Sequence, residues 1–220
     1  MLDSIDTAIA DIRNGKMVIV VDDEDRENEG DIICAASCIT PEILTFMVNH
    51  ARGLVCVSMT EKSCDELKLP LMVDQNTSVH ETAFTVSVDL KGFGCTTGIS
   101  AHDRSKTIQA LADPTMQPGN FGRPGHIFPL RAKNGGVLER PGHTEAAADL
   151  ARLAGFEPAG VLVEVLNKDG SMARLNDLLE FGRLHKMKVI SIKDLIEYMQ
   201  TLHPSAFPNL SVSSPAITTP

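Results

Sequence analysis

The segment from Asp22 to Asp31 has residue types at a spacing that could bind a metal ion. Seven of its ten residues are carboxylic acids, and the exceptions are Arg26, Asn28 and Gly30. Carboxylates this close together repel each other unless cations lie among them, and one arginine is too few. Because Mg²⁺ and Mn²⁺ prefer oxygen ligands, the segment predicts a divalent-cation site. A solvated acidic loop is the alternative interpretation.

A second segment, from Arg140 to Glu145, has the residue types of a phosphate-binding turn. Gly142 permits close approach of the backbone to a ligand, and the next residues begin a predicted helix whose free N–H groups favour an anion. Arg140 and the Thr144 hydroxyl would complete the contacts to phosphate, and His143 could turn its imidazole towards a metal. Ordinary helix capping by Thr144 or Glu145 would produce the same pattern.

Two further residues are suited to proton transfer. His126 follows Arg123 and a Pro-Gly pair at the start of a predicted strand, and an imidazole titrates near neutral pH. Glu164 interrupts the apolar run 161–166, where a carboxylate is costly unless it is paired or protonated. An exposed histidine in a turn and a solvent-facing strand residue are the respective alternatives.

The segment from Asp103 to Thr107 offers hydroxyl and cationic side chains to an anion, and Thr107 is a candidate substrate contact on this basis. Residues typical of a helix start explain the same segment equally well. The chain has no Walker phosphate loop, no dinucleotide-binding glycine pattern and no G-x-S-x-G motif.

Alternating helices and strands are predicted to position these residues. The predicted helices run from Ser4 to Gly15, from Thr40 to Gly53, and over 61–68, 103–113, 143–155, 175–187 and 193–202. The predicted strands begin at Met17 and Ile32 or cover 54–59, 82–88, 126–131, 160–166 and 189–192. This alternation predicts an α/β (α+β) fold, a single-domain three-layer sandwich with a mixed β-sheet flanked by helices.

The amino-acid composition indicates a globular domain and argues against several functional classes. A chain of 220 residues with 43% hydrophobic content predicts one domain over 1–203, and the Ser/Thr/Pro-rich residues 204–220 predict a disordered tail. A net charge of −9 argues against nucleic-acid binding. No apolar run is long enough to cross a membrane, and no secretory leader is evident. Five scattered cysteines are typical of reduced thiols, so a cytoplasmic location is predicted.

Six motifs occurring in order resemble the 3,4-dihydroxy-2-butanone 4-phosphate synthase family of riboflavin biosynthesis. They are the acidic segment 22–31, RPGHIFPLR at 123–131, GHTEA at 142–146, LAGF at 153–156, PAGVL at 158–162 and DGSMAR at 169–174. The resemblance covers roughly residues 5–202. It implies a lyase that uses Mg²⁺ or Mn²⁺, with up to two ions per site, to convert ribulose 5-phosphate into formate and a four-carbon phosphate. It also implies a homodimer with active sites at the subunit interface.

The resemblance also assigns roles to residues. Glu27 and His143 match the metal ligands, and His126 and Glu164 match the positions essential for catalysis. The implied substrate contacts, together with Thr107, are Arg26, Glu27, Asp31, Arg140, Pro141, Gly142, His143, Thr144 and Glu164. Pro141 stands where some relatives have glycine. Because the chain ends near residue 220, the resemblance favours the monofunctional form of the family.

Two other functions remain open from the residues. A magnesium-dependent phosphosugar isomerase or aldolase would use similar groups to stabilise an enediolate without losing a carbon. A non-catalytic module that binds a cation or a phosphate would need the same ligands but would show no turnover. Formate production from ribulose 5-phosphate distinguishes these possibilities.

Overall fold

The computed structural model describes residues 1–202, and these form one seven-stranded mixed sheet. The strands are β1 (Val18–Val21), β2 (Gly30–Ala35), β3 (Cys56–Thr60), β4 (Val88–Leu90), β5 (Phe121–Ala132), β6 (Gly160–Glu164) and β7 (Val189–Ser191). Their spatial order is β4-β5-β3-β6-β2-β1-β7. The pairs β1–β7 and β3–β5 are parallel, and the other neighbouring pairs are antiparallel.

Helices cover both faces of this sheet. Within residues 1–202 they are α1 (Ile5–Arg13), α2 (Pro41–Phe46), α3 (Glu61–Glu66), α4 (Ala101–Leu111), α5 (His143–Leu153), α6 (Leu175–His185) and α7 (Ile192–Leu202). Buried side chains of α1, α5 and α7 pack on one face, and those of α2, α3, α4 and α6 pack on the other. The predicted three-layer sandwich with a mixed sheet is confirmed.

The apolar strand β1 illustrates why both faces are covered. Val18 and Val20 contact the layer of α1, α5 and α7, whereas Ile19 and Val21 belong to the opposite core. Since successive strand residues point to opposite faces, a continuous apolar run is expected when both faces are buried.

Helix starts follow the predicted capping residues. Ser4 accepts a hydrogen bond from the N–H of Thr7 at the start of α1, and Thr40 accepts one from Ile43 at the start of α2. The predicted helix from Thr40 continues beyond α2 as a π-helical turn, Met47–Ala51, and ends at Arg52, whose φ is +74°. None of the helices within residues 1–202 has the length and apolar character to cross a bilayer.

Several predicted boundaries differ from the structure. The predicted strand 82–88 forms only isolated bridges at Phe84 and Thr85, and regular pairing begins at Val88. β5 begins five residues before His126, because its Gly- and Pro-rich start pairs with β4. β2 begins at Gly30, which places Asp31 within a strand. The predicted tail, 204–220, lies outside the described residues and stays a prediction.

Candidate metal and substrate site

The acidic segment connects the end of β1 to the start of β2, two neighbouring strands inside the sheet. Val21 of β1 pairs with Gly30 of β2, so the residues between them form a loop beyond the strand ends. In the next strand, Glu164 of β6 pairs with Asp31. Residues paired across strands share a face, so two carboxylates from separate strands are placed side by side.

The carboxylate of Asp22 organises this loop. Its Oδ1 accepts a hydrogen bond from the N–H of Glu29 at 2.9 Å, and its Oδ2 accepts one from the N–H of Glu27 at 3.1 Å. Arg26 Nη1 lies 2.9 Å from both Asp22 Oδ2 and Glu27 Oε2. The loop conformation therefore depends on a buried carboxylate, and the single arginine of the segment already pairs with two acids.

The N-terminal end of α6 supports the loop from outside. Arg174 Nη1 donates to the carbonyl of Glu27 at 3.1 Å and also to that of Asn28, whose φ is +55°. Further along α6, Leu178 packs against Gly30, where an added Cβ would lie 2.5 Å from Leu178 Cδ1. A side chain at position 30 would therefore require the Leu178 side chain to shift.

His143, the first residue of α5, completes a set of metal-ligating atoms. Its Nδ1 lies 3.5 Å from Glu27 Oε2, and its Nε2 lies 3.1 Å from the carbonyl of Val20. Because a carbonyl only accepts, Nε2 carries a proton, and Nδ1 is directed to the loop. Ligand atoms of Asp22, Glu27 and His143 all lie within 4.8 Å of one another. Two carboxylates and one imidazole fit a divalent ion.

The electrostatics of the site also indicate that a cation is needed. Hydrogen bonding with His143 lowers the pKa of Glu27 to about 2, against the opposing effect of burial. Burial and the nearby charges of Glu164 and Glu27 raise the pKa of Asp31 to about 7, despite the opposing imidazolium of His143. Among the described residues, the buried Oδ1 of Asp31 has no hydrogen-bond partner. A buried acceptor without a partner is costly, and a bound ion or ligand would satisfy it.

The pKa of His143 is raised by this acidic environment. Burial disfavours the imidazolium, but the charges of Asp31, Asp22 and Glu27 and the hydrogen bond to Glu27 outweigh burial and raise the pKa to about 9. The imidazolium thus takes the place of a cation between the carboxylates.

The predicted phosphate segment is ordered by one glutamate. Arg140 Nη1 lies 2.6 Å from Glu145 Oε2, and Nη2 donates to the carbonyl of His80 at 2.9 Å. An added Cβ at Gly142 would lie 2.4 Å from Arg140 Nη1, so a larger residue there would require the guanidinium to move. No side chain of the described residues caps α5, and the capping alternative is therefore not observed.

These groups surround one cavity of about 130 Å³. The predicted site residues that line it are Arg26, Glu27, Asp31, Arg140, His143, Thr144 and Glu164. Glu164 is held by the N–H of Leu54, which donates to its Oε2 at 2.8 Å. Pro141 lies outside this cavity, on a neighbouring groove between the acidic loop and α7.

Gly142 is not among the lining residues either, and the predicted residues His126 and Thr107 lie away from this cavity. His126 is exposed on β5, where its Nδ1 lies 2.6 Å from Asp89 Oδ2. Thr107 is buried in α4, and its hydroxyl donates to the carbonyl of Asp103 and accepts from the N–H of Leu90, both at 3.0 Å. Neither residue contributes to the cavity formed by this chain alone.

Sequence reasoning missed several cavity residues, among them Cys56, Thr82 and Phe84. Cys56 lies beside Leu162 of β6 and reads as an ordinary core residue of an apolar strand. Thr82 lies in a segment with weak strand character. The pairing of Asp89 with His126 joins residues 37 positions apart, which neither local segment indicates.

Comparison with known proteins agrees with the motifs. The family model for 3,4-dihydroxy-2-butanone 4-phosphate synthase matches residues 6–198. The riboflavin biosynthesis protein RibBA of Cytophaga hutchinsonii is 66% identical over 200 residues, covering 91% of this chain and 49% of that protein. The RibBA of Synechocystis is 60% identical, covering 90% and 36%. This chain therefore spans about half the length, or less, of these curated relatives.

Solved structures show the same fold. A 3,4-dihydroxy-2-butanone 4-phosphate synthase crystallised with two magnesium ions is 43% identical, with a TM-score of 0.87 and coverage of 91% of this chain and 98% of that one. RibBX of A. baumannii, a two-domain synthase, is 51% identical, with a TM-score of 0.87 and coverage of 90% and 58%. The chain belongs to the 3,4-dihydroxy-2-butanone 4-phosphate synthase family.

Proposed function

We propose that this protein converts ribulose 5-phosphate into L-3,4-dihydroxy-2-butanone 4-phosphate and formate, a step of riboflavin biosynthesis. The observation that carries the proposal is one cavity lined by Glu27 and His143, by the Asp31–Glu164 pair and by the N-terminus of α5, with Asp22 within reach of Glu27 and His143. Membership of the synthase family supports the same reaction.

Glu27 and His143 would hold Mg²⁺ or Mn²⁺, with Asp22 as a further carboxylate within reach. When bound, a divalent ion supplies Lewis-acid stabilisation of the negative charge that develops on neighbouring substrate oxygens. A count of two ions is supported by the related synthase crystallised with two magnesium ions.

The phosphate of the substrate would lie at the N-terminus of α5. The first N–H groups of a helix have no partner within the helix, and they favour an anion. Arg140 and Thr144 line the same cavity and add a guanidinium and a hydroxyl. Holding the phosphate there would fix the reacting carbons beside the acidic loop.

Asp31 and Glu164 are placed to exchange protons with the substrate. They pair across β2 and β6, and both face the cavity. Asp31 has a free carboxylate oxygen among the described residues, whereas Glu164 is held by the N–H of Leu54. A free oxygen can take a proton from a bound sugar, and a fixed carboxylate can position a hydroxyl.

We also propose a homodimer in which the exposed His126 acts at the partner's cavity. Beside the cavity, a groove of about 300 Å³ includes Glu27 and the exposed side chains of Leu71, Met72 and Val79. Neighbouring apolar side chains that are exposed in one chain are typical of a surface covered by another chain.

Co-expression of Glu27→Gln with His126→Gln tests the dimer. If His126 acts in the partner's site, hybrid dimers contain one intact site, and about a quarter of the parent's formate production should return. If both residues act within one chain, every site carries a substitution and no activity returns. Each variant alone should be inactive.

Formate release from ribulose 5-phosphate tests the reaction itself. We expect formate in the presence of Mg²⁺, none in excess chelator, and recovery when Mg²⁺ is added back. Phosphosugar products without formate would support an isomerase or aldolase, and binding without turnover would support a non-catalytic module.

All five cysteines are free thiols in the structure, and burial raises the pKa of Cys64 to about 12. This supports the proposed cytoplasmic location, since reducing compartments preserve free thiols.

A further inference from the structure

Two histidines lie close together outside the cavity described above. His50 belongs to the π-helical turn Met47–Ala51, and His185 is the last residue of α6. Their ring centroids are 5.1 Å apart, and both side chains are partly exposed. Within residues 1–202, neither ring makes a hydrogen bond, whereas His102, His126 and His143 each have a polar contact. The nitrogens of this pair are therefore free to bind another species.

The two rings are held in place by aromatic side chains. Phe46 stacks on His50 with a centroid separation of 4.5 Å and meets His185 edge-on at 5.0 Å. Phe181 contacts His185 at 4.4 Å. Packing of this kind fixes ring orientation, so little conformational entropy is lost when a ligand binds.

The separation of the rings matches a shared metal ion. With metal–nitrogen bonds of about 2.0 Å and tetrahedral geometry, two imidazoles hold their ring centroids about 5 Å apart. Burial and the neighbouring His50 lower the pKa of His185, which favours the neutral ring that a metal requires. Imidazole nitrogen prefers Zn²⁺, Cu²⁺ and Ni²⁺ over Mg²⁺.

We propose that His50 and His185 form a second metal site, which binds a nitrogen-preferring transition-metal ion such as Zn²⁺ and is separate from the site at the acidic loop. Two imidazoles supply the protein ligands, and water completes the coordination. The ion joins the π-helical turn after α2 to the end of α6.

Zinc titration by calorimetry, with the folded protein in excess Mg²⁺, tests this site. The parent should bind one equivalent of Zn²⁺ more than His50→Gln and one more than His185→Gln. His102→Gln, at an exposed histidine elsewhere, is the matched control and should retain the parent's stoichiometry. Glu27→Gln should retain this equivalent, because Glu27 belongs to the separate acidic-loop site. Equal stoichiometry in the parent and in both folded histidine variants would overturn the proposal.

A second measurement needs no substitution. In NMR spectra of the parent labelled at histidine, Zn²⁺ should shift the ring signals of two histidines in addition to His143. Shifts confined to His143 would contradict the second site. The result is independent of formate production, so failure of the proposed reaction and failure of this site can be told apart.

Discussion

At the scale of single residues, Asp22 determines how the acidic loop is arranged. Its two oxygens accept from two backbone N–H groups and one guanidinium, so the position of Glu27 depends on Asp22. Hydrogen bonds that involve charged groups contribute about 1.5–3 kcal/mol each. The first acid after β1 is therefore a structural residue as well as a candidate metal ligand.

Asp22→Asn should weaken the binding of Mn²⁺ by about tenfold or more, because it removes a charged acceptor and an oxygen of the ligand set. Titration followed by electron paramagnetic resonance of free Mn²⁺ measures this affinity. Glu24→Gln changes an exposed acid of the same loop and is the control. Equal affinity in Asp22→Asn and the control would contradict the role assigned to Asp22.

Residue types alone predicted a binding site at the segments that are rich in charged or metal-ligating side chains. The density of acids indicated a cation, and Arg140 with His143 indicated an anion or metal site at a helix start. Cys56 and Thr82 were missed because their types are ordinary for the segments they occupy, and only the folded sheet brings them to the cavity. His126 carried a signal but lies outside the cavity of one chain.

At the scale of elements, α6 supports the acidic loop through Arg174 and Leu178. Gly30→Ala should lower the free energy of unfolding by about 1–3 kcal/mol, since the new methyl overlaps Leu178, which is 1% exposed. Urea unfolding measures the change.

The double variant Gly30→Ala, Leu178→Ala is the test of mechanism. Leu178→Ala alone should cost about 2–5 kcal/mol, and the double variant should cost less than the sum of the two single changes. Strict additivity would show that the methyl at position 30 does not act through Leu178.

The carboxylate of Asp103, in the first turn of α4, holds the preceding loop against the helix. Asp103 Oδ2 accepts from the N–H groups of Thr96 and Gly98 and from the Thr96 hydroxyl, at 2.8–3.0 Å. The Thr96 hydrogen bond is the main cause that holds the pKa of Asp103 well below its usual range. A carboxyl with a lowered pKa stabilises the folded state fully above its unfolded pKa, and the effect is lost as pH falls through the folded pKa.

The parent should therefore be more stable than Asp103→Asn at neutral pH, and the difference should narrow as the pH falls below about 4. Urea unfolding at several pH values measures it. Asp74→Asn, at an exposed acid in the loop after α3, serves as a comparison. If the stability difference between the parent and Asp103→Asn grew as the pH fell, Asp103 would not be stabilising the fold as a charged carboxylate.

Local sequence predicted helices better than it predicted strands in the middle of the chain. The capping residues Ser4 and Thr40 act locally, and the structure retains both. β5 was predicted too short because Gly and Pro near residues 122–125 resemble a loop, although pairing with β4 extends the strand. Such pairing is between distant residues and leaves no local pattern.

At the scale of the whole molecule, binding of a cation should stabilise the fold. The chain carries a net charge of −9, and four acidic residues line its cavity: Glu27, Glu29, Asp31 and Glu164. An ion that binds only the folded state at about a hundred times its Kd adds about 2.7 kcal/mol. For a domain of this size, Tm should rise by roughly 5–10 °C with Mn²⁺.

Differential scanning calorimetry measures that rise, and excess chelator should reverse it. His143→Gln, in which the proposed imidazole ligand is replaced by an amide, should show a much smaller rise. An equal rise in the parent and in this variant would place the stabilising ion elsewhere.

The overall architecture followed from the alternation of elements, but the order of strands did not. β3 lies between β5 and β6, two strands that follow it by more than sixty residues in the chain. The site depends on that order, because β2 and β6 must be neighbours for Asp31 to face Glu164.

The register of β2 has a consequence for how this site could tolerate change. Asp31 shares a face with Ile33, which packs in the core of α1, α5 and α7, whereas Ile32 faces the opposite core. Strand side chains alternate, so one residue inserted within β2 would turn the carboxylate into the wrong core and place an isoleucine at the site. An insertion among the exposed residues 23–25 would leave the alternation intact. The direction in which the Asp31 carboxylate points is thus set by the alternation of side chains along β2 and not by the length of the loop.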